Sequence, residues 1–380
     1  MPIYLDNAAT TRVLPQAAAA ALHAMTDAYG NPSSRHNFGK EAAAALEKHR
    51  LEIAASLGCL SDELYFTSGG TEGDNWAVTM MERAAHRRGR HIITTAIEHS
   101  AVLEPIRALE QHENYEVTYL EPDRKGRITV RQVEEALRED TAFISMMLVN
   151  NETGVTLPVA ETAELIRQRR SPALLHTDAV QAFLKIPFTP SELGVDFLTI
   201  SAHKIGGMKG CGALYIKKGF KISPLIFGGG QEQGYRSGTE ATPQIAAFAA
   251  ACMAGRTALR THTETLLSLK SYALDVLQQA IPALEVISEG DAPHICAISL
   301  PGYPSEMLVR DLSDRGICVS SGSACHKGKP SHVFAAMKLP SRTLMGILRI
   351  SFSPENTRDE INRLAEALSA ISQERIPAGR

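Results

Sequence analysis

The sequence predicts an α/β fold, a mostly parallel seven-stranded sheet wrapped by helices, with a smaller α+β domain after it. Two observations predict it. Short apolar runs alternate with longer amphipathic ones through the first two-thirds of the 380 residues, as strand–helix units do. One of the short runs, Ala142–Val149, is almost unbroken hydrophobic, which suits a strand covered on both faces.

Strands are predicted at Leu64–Thr67, His91–Thr95, Val117–Leu120, Ala142–Val149, Ala173–Thr177, Phe197–Ile200 and Ala213–Ile216. Helices fill most of the gaps, at Glu72–Arg88, Ala101–Gln111, Thr129–Arg138 and Val159–Arg169. Alanine-rich segments near Ala17–Ala21 and Ala42–Ala45 are explained by helix propensity. The pattern changes around Gly255. A long amphipathic helix from about Thr257 to Ala280 carries Leu259, Leu266, Leu267, Leu274 and Leu277 and ends before Pro282. Two or three short strands and two or three helices follow it. In parallel sheets ligands collect at the carboxyl ends of the strands, so chemistry is expected just after each strand.

Composition narrows the function. Lys and Arg number 39 against 42 Asp and Glu, a formal net charge of -3, so no polyanion-binding surface and no nucleic-acid partner is expected. The six cysteines, Cys59, Cys211, Cys252, Cys296, Cys318 and Cys325, show no C-x-x-C spacing and read as reduced cytosolic thiols. The N-terminus has neither a basic region nor an apolar run of the secretory kind. Apolar stretches such as Ala246–Ala254 fall well short of the ~18 residues of a membrane span. A cytoplasmic protein with no membrane partner is expected.

Candidate chemistry sits where the strands end. Lys204, in Ser201-Ala202-His203-Lys204-Ile205-Gly206-Gly207, follows a strand and precedes glycines, a position where a desolvated amine could form a Schiff base with a carbonyl. Asp178 follows the strand Ala173–Thr177 and could face a protonated pyridine nitrogen. His176 shares its side of the strand by period-2 alternation. With the distant His203, this pair has the ligand types of an iron facial triad, but that spacing is weak evidence, and no metal is expected. Ser68-Gly69-Gly70-Thr71-Glu72 joins a strand to a helix, as a phosphate cradle or a capped Gly-Gly turn would. The glycine-rich segment 228–239 also carries Gln231, Arg236 and Thr239, which makes a plain linker less fitting.

Cys325 lies in the small, polar run Ser320-Ser321-Gly322-Ser323-Ala324-Cys325-His326-Lys327-Gly328-Lys329. Neighbouring positive charge favours its thiolate. His99 and Asn150-Asn151-Glu152-Thr153-Gly154 follow two more strands, though a structural histidine and a tight turn would use the same letters. Arg349 is a cation in an apolar strand and wants a carboxylate from the protein or from a substrate.

Taken together, these segments resemble the cysteine desulfurases, within the class V branch of the fold-type I pyridoxal-phosphate enzymes. The resemblance runs from Leu5-Asp6-Asn7-Ala8-Ala9-Thr10-Thr11 through Asn31-Pro32-Ser33-Ser34-Arg35-His36 and Thr67-Ser68-Gly69-Gly70-Thr71-Glu72 to the Cys325 loop and Arg349. It implies a large cofactor domain over residues 15–256 and a small one over 1–14 plus 257–380. It also implies that Lys204 binds pyridoxal 5'-phosphate covalently, Asp178 pairs with the pyridine nitrogen, Gln181 lies near the ring hydroxyl, and His99 stacks on the ring and assists proton transfer. Gly70, Thr71, Ser201 and His203 would hold the phosphate, with Thr239 from the other subunit of a homodimer. Asn151 and Arg349 would hold the substrate carboxylate, with Asn7 bordering the pocket.

The implied reaction takes sulfur from L-cysteine, leaving alanine and a persulfide on Cys325 for an acceptor, an iron–sulfur scaffold or a tRNA- or cofactor-thiolating protein. Selenocysteine lyase, a class V aminotransferase and an idle protein that keeps the fold are the alternatives. Two departures stand out. Met208 occupies the usual proline position of Gly-Gly-Pro-Lys-Gly, and the segment from Cys325 to Ser331 is basic and shorter by a couple of residues than in long-loop members.

Overall fold

The computed structural model describes every residue except 1, 86–88, 222, 322–330, 376 and 378–380. Its strands are β1 (Ile3–Tyr4), β2 (Leu64–Thr67), β3 (His91–Thr95), β4 (Glu116–Leu120), β5 (Thr141–Ser145), β6 (Leu174–Asp178), β7 (Phe197–Ser201), β8 (Gly212–Ile216), β9 (Glu285–Ser288), β10 (Ile295–Ser299), β11 (Ile317–Cys318) and β12 (Ile347–Ser351). The first helices are α1 (Pro15–Thr26), α2 (Asn37–Leu57), α3 (Gly70–Ala85), α4 (Ser100–His112), α5 (Val130–Ala136) and α6 (Val159–Gln168). They are followed by α7 (Pro190–Leu193), α8 (Thr242–Ala280), α9 (Ser305–Asp314), α10 (His332–Ala336), α11 (Ser341–Met345) and α12 (Arg358–Glu374).

All seven predicted strands pair in one sheet, in the order β2-β8-β7-β6-β5-β3-β4. Only β8 runs against the rest. The carboxyl ends of β2, β3, β5, β6 and β7 therefore lie along one edge, and the segments that leave them meet there. Strands β3, β5, β6, β7 and β8 are buried along their whole length, because helices cover both faces.

Three predictions change. The run Ala142–Val149 leaves the sheet after Ser145, since β3 pairs with it only as far as Thr94 opposite Ser145. Beyond that point Met146 and Leu148 still donate to the carbonyls of His176 and Asp178, which carries the chain over the end of β6. The helix expected from Thr257 instead begins at Thr242 and runs unbroken through Gly255. A Cβ on Gly255 would lie 2.9 Å from Leu184 Cδ1, so this glycine allows close packing and does not end a helix. The C-terminal third also holds four strands and four helices among the described residues. Elements as short as β11, α10 and α11 leave no legible period in a sequence.

Two main apolar cores form. One lies around the seven-stranded sheet, from Ala17 to Cys252 for most of its members. The other gathers Ile3 and Leu5 with Leu266, Leu277, Cys296, Ile317, Leu348 and Leu364. Strand β1 pairs with β11, and β12, β10 and β9 make a three-stranded antiparallel sheet. Helix α8 spans both cores, with Ile245 and Phe248 in the first and Leu266 and Leu277 in the second. No helix of the described residues is long and apolar enough to cross a membrane.

Candidate active site

A cavity of about 470 Å³ opens where the strand ends meet the N-terminal segment and β12. Of the residues singled out in the sequence, Gly70, Thr71, His99, Asn151, Asp178, Gln181, Ser201, His203, Lys204 and Arg349 line it. They come from six separate stretches of chain, five of them at the ends of the parallel strands β2, β3, β5, β6 and β7 and the sixth, Arg349, on β12 of the smaller sheet.

Lys204 stands in a short turn directly after β7. Its Nζ donates to the carbonyls of Ala8 at 2.6 Å and Ala9 at 2.9 Å. Burial, reinforced by Arg349 and opposed by Asp178 and Asp6, pulls its pKa down to about 8. Such an amine has a far larger neutral, nucleophilic fraction near physiological pH than an exposed lysine.

Asp178 ends β6, and its Oδ1 accepts from the Val180 amide at 2.8 Å. Burial first, and then the neighbouring carboxylate Asp74, push its pKa up. A buried anion in that condition is stabilised by a cation placed against it. Asp74 also lines the cavity, and burial raises its pKa to about 7. The sequence reading missed it, although it lies one helical turn beyond Gly70 in α3, a spacing that places both on one face.

Both ring nitrogens of His176 are engaged by hydroxyl groups. Its Nδ1 meets Ser145 Oγ at 2.8 Å and its Nε2 meets Thr199 Oγ1 at 3.2 Å. Among the described residues no three His, Cys, Asp or Glu side chains gather as metal ligands.

One part of the cavity wall is built from the start of α3 and the end of β7. Helix α3 starts at Gly70, two residues earlier than expected, so Gly70 and Thr71 belong to its first turn, where backbone N–H groups lack helical acceptors. A Cβ on Gly70 would meet Val180 Cγ2 at 2.9 Å, so only glycine lets this turn sit so close to the segment after β6. Ser201 Oγ is buried with no hydrogen-bond partner. His203 is held by Thr10 Oγ1 at 3.2 Å, with burial and the nearby Lys204 and Lys209 lowering its pKa to about 4. An unpaired buried hydroxyl beside a helix N-terminus, with an amine and a carboxylate in the same cavity, fits an aldehyde-bearing, phosphorylated pyridine. That donor set is what pyridoxal phosphate requires.

Arg349, also on the lining and 3% exposed, donates from Nη2 to Asp6 Oδ1 at 2.7 Å and from Nη1 to the Asn151 carbonyl at 3.0 Å. Its Nε is buried without a partner. Asp6 and Ser320 line the cavity beside it. His99 caps α4, its Nδ1 accepting from the Ala101 amide at 3.1 Å, which leaves Nε2 to carry the proton.

Two of the described candidate residues are not brought to this wall. Asn7 spends its amide on the carbonyls of Tyr4 and Ser351, while its neighbours Asp6 and Ala8 line the cavity. Thr239 is exposed, between the glycine-rich segment and α8, and away from the lining within this single chain. Cys325 lies outside the described residues. The chain on either side of it is fixed: Ser320 exchanges backbone hydrogen bonds with Arg349, and Ser331 and His332 bond Glu152 Oε1 and the Glu98 carbonyl at 2.8 Å each.

Residues 3–364 match the aminotransferase class-V family. A cysteine desulfurase of Trichormus azollae is 41% identical over 97% of this chain and 92% of its own. Among solved structures, a NifS-like protein superimposes with a TM-score of 0.93 at 36% identity, covering 99% of this chain and 100% of that one. A second, SspA in complex with cysteine, has a TM-score of 0.80 at 30% identity over 93% of this chain and 100% of its own. The chain belongs to the aminotransferase class-V family, among its cysteine desulfurases, and is a pyridoxal-phosphate enzyme.

Proposed function

We infer that the protein removes sulfur from L-cysteine, releasing alanine and leaving the sulfur as a persulfide on Cys325. The observation that carries this reading is the meeting, in one cavity, of a partly neutral Lys204, a buried Asp178 and a buried Arg349 beside Ser320. Ser320 is five residues from Cys325, and five residues of chain reach at most about 17 Å. That length of chain would let the thiol reach the cavity.

Pyridoxal phosphate, when bound, supplies the electron sink that makes the substrate's Cα proton removable. Gly70, Thr71, Ser201 and His203 would hold its phosphate, Asp178 and Gln181 its ring, and His99 would stack on it. Arg349 and Asn151 would orient the substrate carboxylate, with Asn7 supporting the adjoining N-terminal turn. Lys204 Nζ takes the Cα proton, for which its lowered pKa suits it. The Cys325 thiolate then attacks the substrate sulfur. An S–S bond forms, the substrate Cβ–S bond breaks, and the bonding electrons stay with the carbon skeleton, which gains protons and leaves as alanine. His99 Nε2–H is the proton carrier beside this exchange.

The same reading assigns residues 15–256 to a cofactor domain and 1–14 plus 257–380 to a small domain, supported by the two apolar cores. Thr239, remote from its own chain's cavity, would serve a second copy in a homodimer. A sulfur-acceptor protein and a cytoplasmic setting complete the proposal. The five described cysteines are all free thiols, as a reducing compartment would keep them. The test is Cys325→Ala. It should retain the cofactor's absorbance and lose sulfide and alanine release from L-cysteine. Unchanged turnover would favour a class V aminotransferase.

A further inference from the structure

His294 stands just before β10, outside the cavity wall, and is 1% exposed. Its Nε2 lies 3.3 Å from Gln181 Oε1. Gln181 in turn donates from Nε2 to the Ala8 carbonyl at 2.9 Å, the same oxygen that accepts from Lys204 Nζ at 2.6 Å. The chemistry fixes every orientation in this chain of contacts. A carbonyl only accepts, so the Gln181 NH2 group must face Ala8 and its oxygen must face His294. An amide oxygen also only accepts, so His294 must carry its proton on Nε2. Its Nδ1 is then the acceptor nitrogen, and it is buried with no partner.

The mounting is rigid. Ser351 Oγ, at the end of β12, accepts from the Ala8 amide at 2.9 Å, and the next residue, Phe352, donates to the His294 carbonyl at 2.9 Å. Ala8 and His294 are thus hung from two consecutive residues, on either side of Gln181. Burial and the surrounding cations Lys185, Lys270, Arg349 and Lys204 all disfavour a charged imidazole here, in keeping with a neutral donor.

We propose that His294 is a positioning residue for the cofactor: its Nε2–H holds Gln181 Oε1, keeping the Gln181 NH2 group turned to Ala8 and leaving its second N–H for the ring hydroxyl. The inference rests on the reading that places Gln181 beside that hydroxyl. Gln181 is also the donor that remains on the Ala8 carbonyl whenever Lys204 is drawn away. Without His294 a buried amide oxygen loses its donor, and the side chain no longer has one preferred pose.

The test compares His294→Leu, which removes the donor, with His294→Gln, which restores an N–H at similar reach. The readouts are the midpoint of the pH titration of the bound cofactor's absorbance and the cofactor's dissociation constant. His294→Leu should raise the midpoint by about half a unit to one unit and weaken cofactor binding roughly three- to tenfold, the scale of one hydrogen bond. His294→Gln should recover most of both, and in a Gln181→Ala background His294→Leu should add nothing further. A folded His294→Leu protein with an unchanged titration, or an additive effect in that background, overturns the proposal. Should His294→Leu fail to fold, imidazole ¹⁵N spectra of the unaltered protein decide it. A neutral ring protonated at Nε2 is expected, and a ring protonated at Nδ1 overturns it. Absence of sulfur release by the unaltered enzyme would instead refute the proposed function, while leaving these titrations and spectra interpretable.

Discussion

Arg349 Nη2 donates to Asp6 Oδ1 across 2.7 Å, so the buried guanidinium on the cavity wall is already paired before any substrate arrives. The pairing offsets the cost of burying the cation and fixes its plane, while Nε stays without a partner. Arg349→Lys keeps the charge but loses the planar fork. We expect the KM for L-cysteine to rise about ten- to a hundredfold, with cofactor absorbance retained. An unchanged KM would remove Arg349 from substrate binding.

Removing Asp6 should act on stability. Asp6→Ala leaves the Arg349 cation buried without its anionic partner, at a cost of roughly 1.5–3 kcal/mol for a charged hydrogen bond. Denaturant unfolding of the two proteins measures it, and equal midpoints would show that Arg349 finds other partners.

Cofactor capture requires the neutral amine of Lys204. With the pKa drawn down to about 8 from its usual 10.5, the association rate of pyridoxal phosphate with apoenzyme should climb about tenfold per pH unit below pH 8 and level off above it. A midpoint near 10.5 would show an amine in bulk-like surroundings. Lys204→Ala should abolish the borohydride-stable attachment.

Much of this was legible in the sequence because parallel strands with continuous apolar faces announce themselves, and their carboxyl ends then point to Gly70, His99, Asn151, Asp178 and Lys204. What was not legible is of one kind. Gly255 reads as a break in a helical pattern, yet it is where α8 packs against Leu184. Asp74 and His294 are ordinary letters until distant chain segments bury them beside Asp178 and Gln181. Asp6 lies in the segment Leu5-Asp6-Asn7-Ala8-Ala9-Thr10-Thr11, but its pairing depends on a partner 343 positions away. Polar groups paired across such separations leave no local period to read.

The buried carboxylates predict a slope of stability with pH in the apoenzyme. Burial raises Asp74 to about 7 and Glu98 to about 8, and Asp178 moves the same way. Each binds its proton more tightly folded than unfolded, so stability is greatest when they are protonated and falls as pH rises towards 8. The window from pH 6.5 to 8 lies above the range where His176 and His203, pushed down to about 4, act with opposite sign, and Lys185 and Lys204, lowered to about 8, oppose the carboxylates only towards its upper end. Apoenzyme should lose at least about 1 kcal/mol across that window, and Asp74→Asn should lose less. A flat or rising profile would show that these carboxylates are ionised without penalty.

Gly154 ties the substrate-side turn to β10. Its φ is +71°, and a Cβ there would lie 2.8 Å from the Ile295 carbonyl oxygen. Gly154→Ala should destabilise the protein by about 1–3 kcal/mol and raise the KM for L-cysteine by displacing Asn151. Thermal unfolding and steady-state kinetics check the two effects, and an unaltered protein on both counts would show that the turn gives way freely.

The central claim is that sulfur leaves L-cysteine by becoming covalently attached to one thiol. Mass spectrometry of the enzyme after incubation with L-cysteine, with peptides mapped under non-reducing conditions, addresses it directly. The account predicts one added sulfur atom on the peptide containing Cys325. Alanine release with the added sulfur on another cysteine, or with no adduct at all, would contradict it.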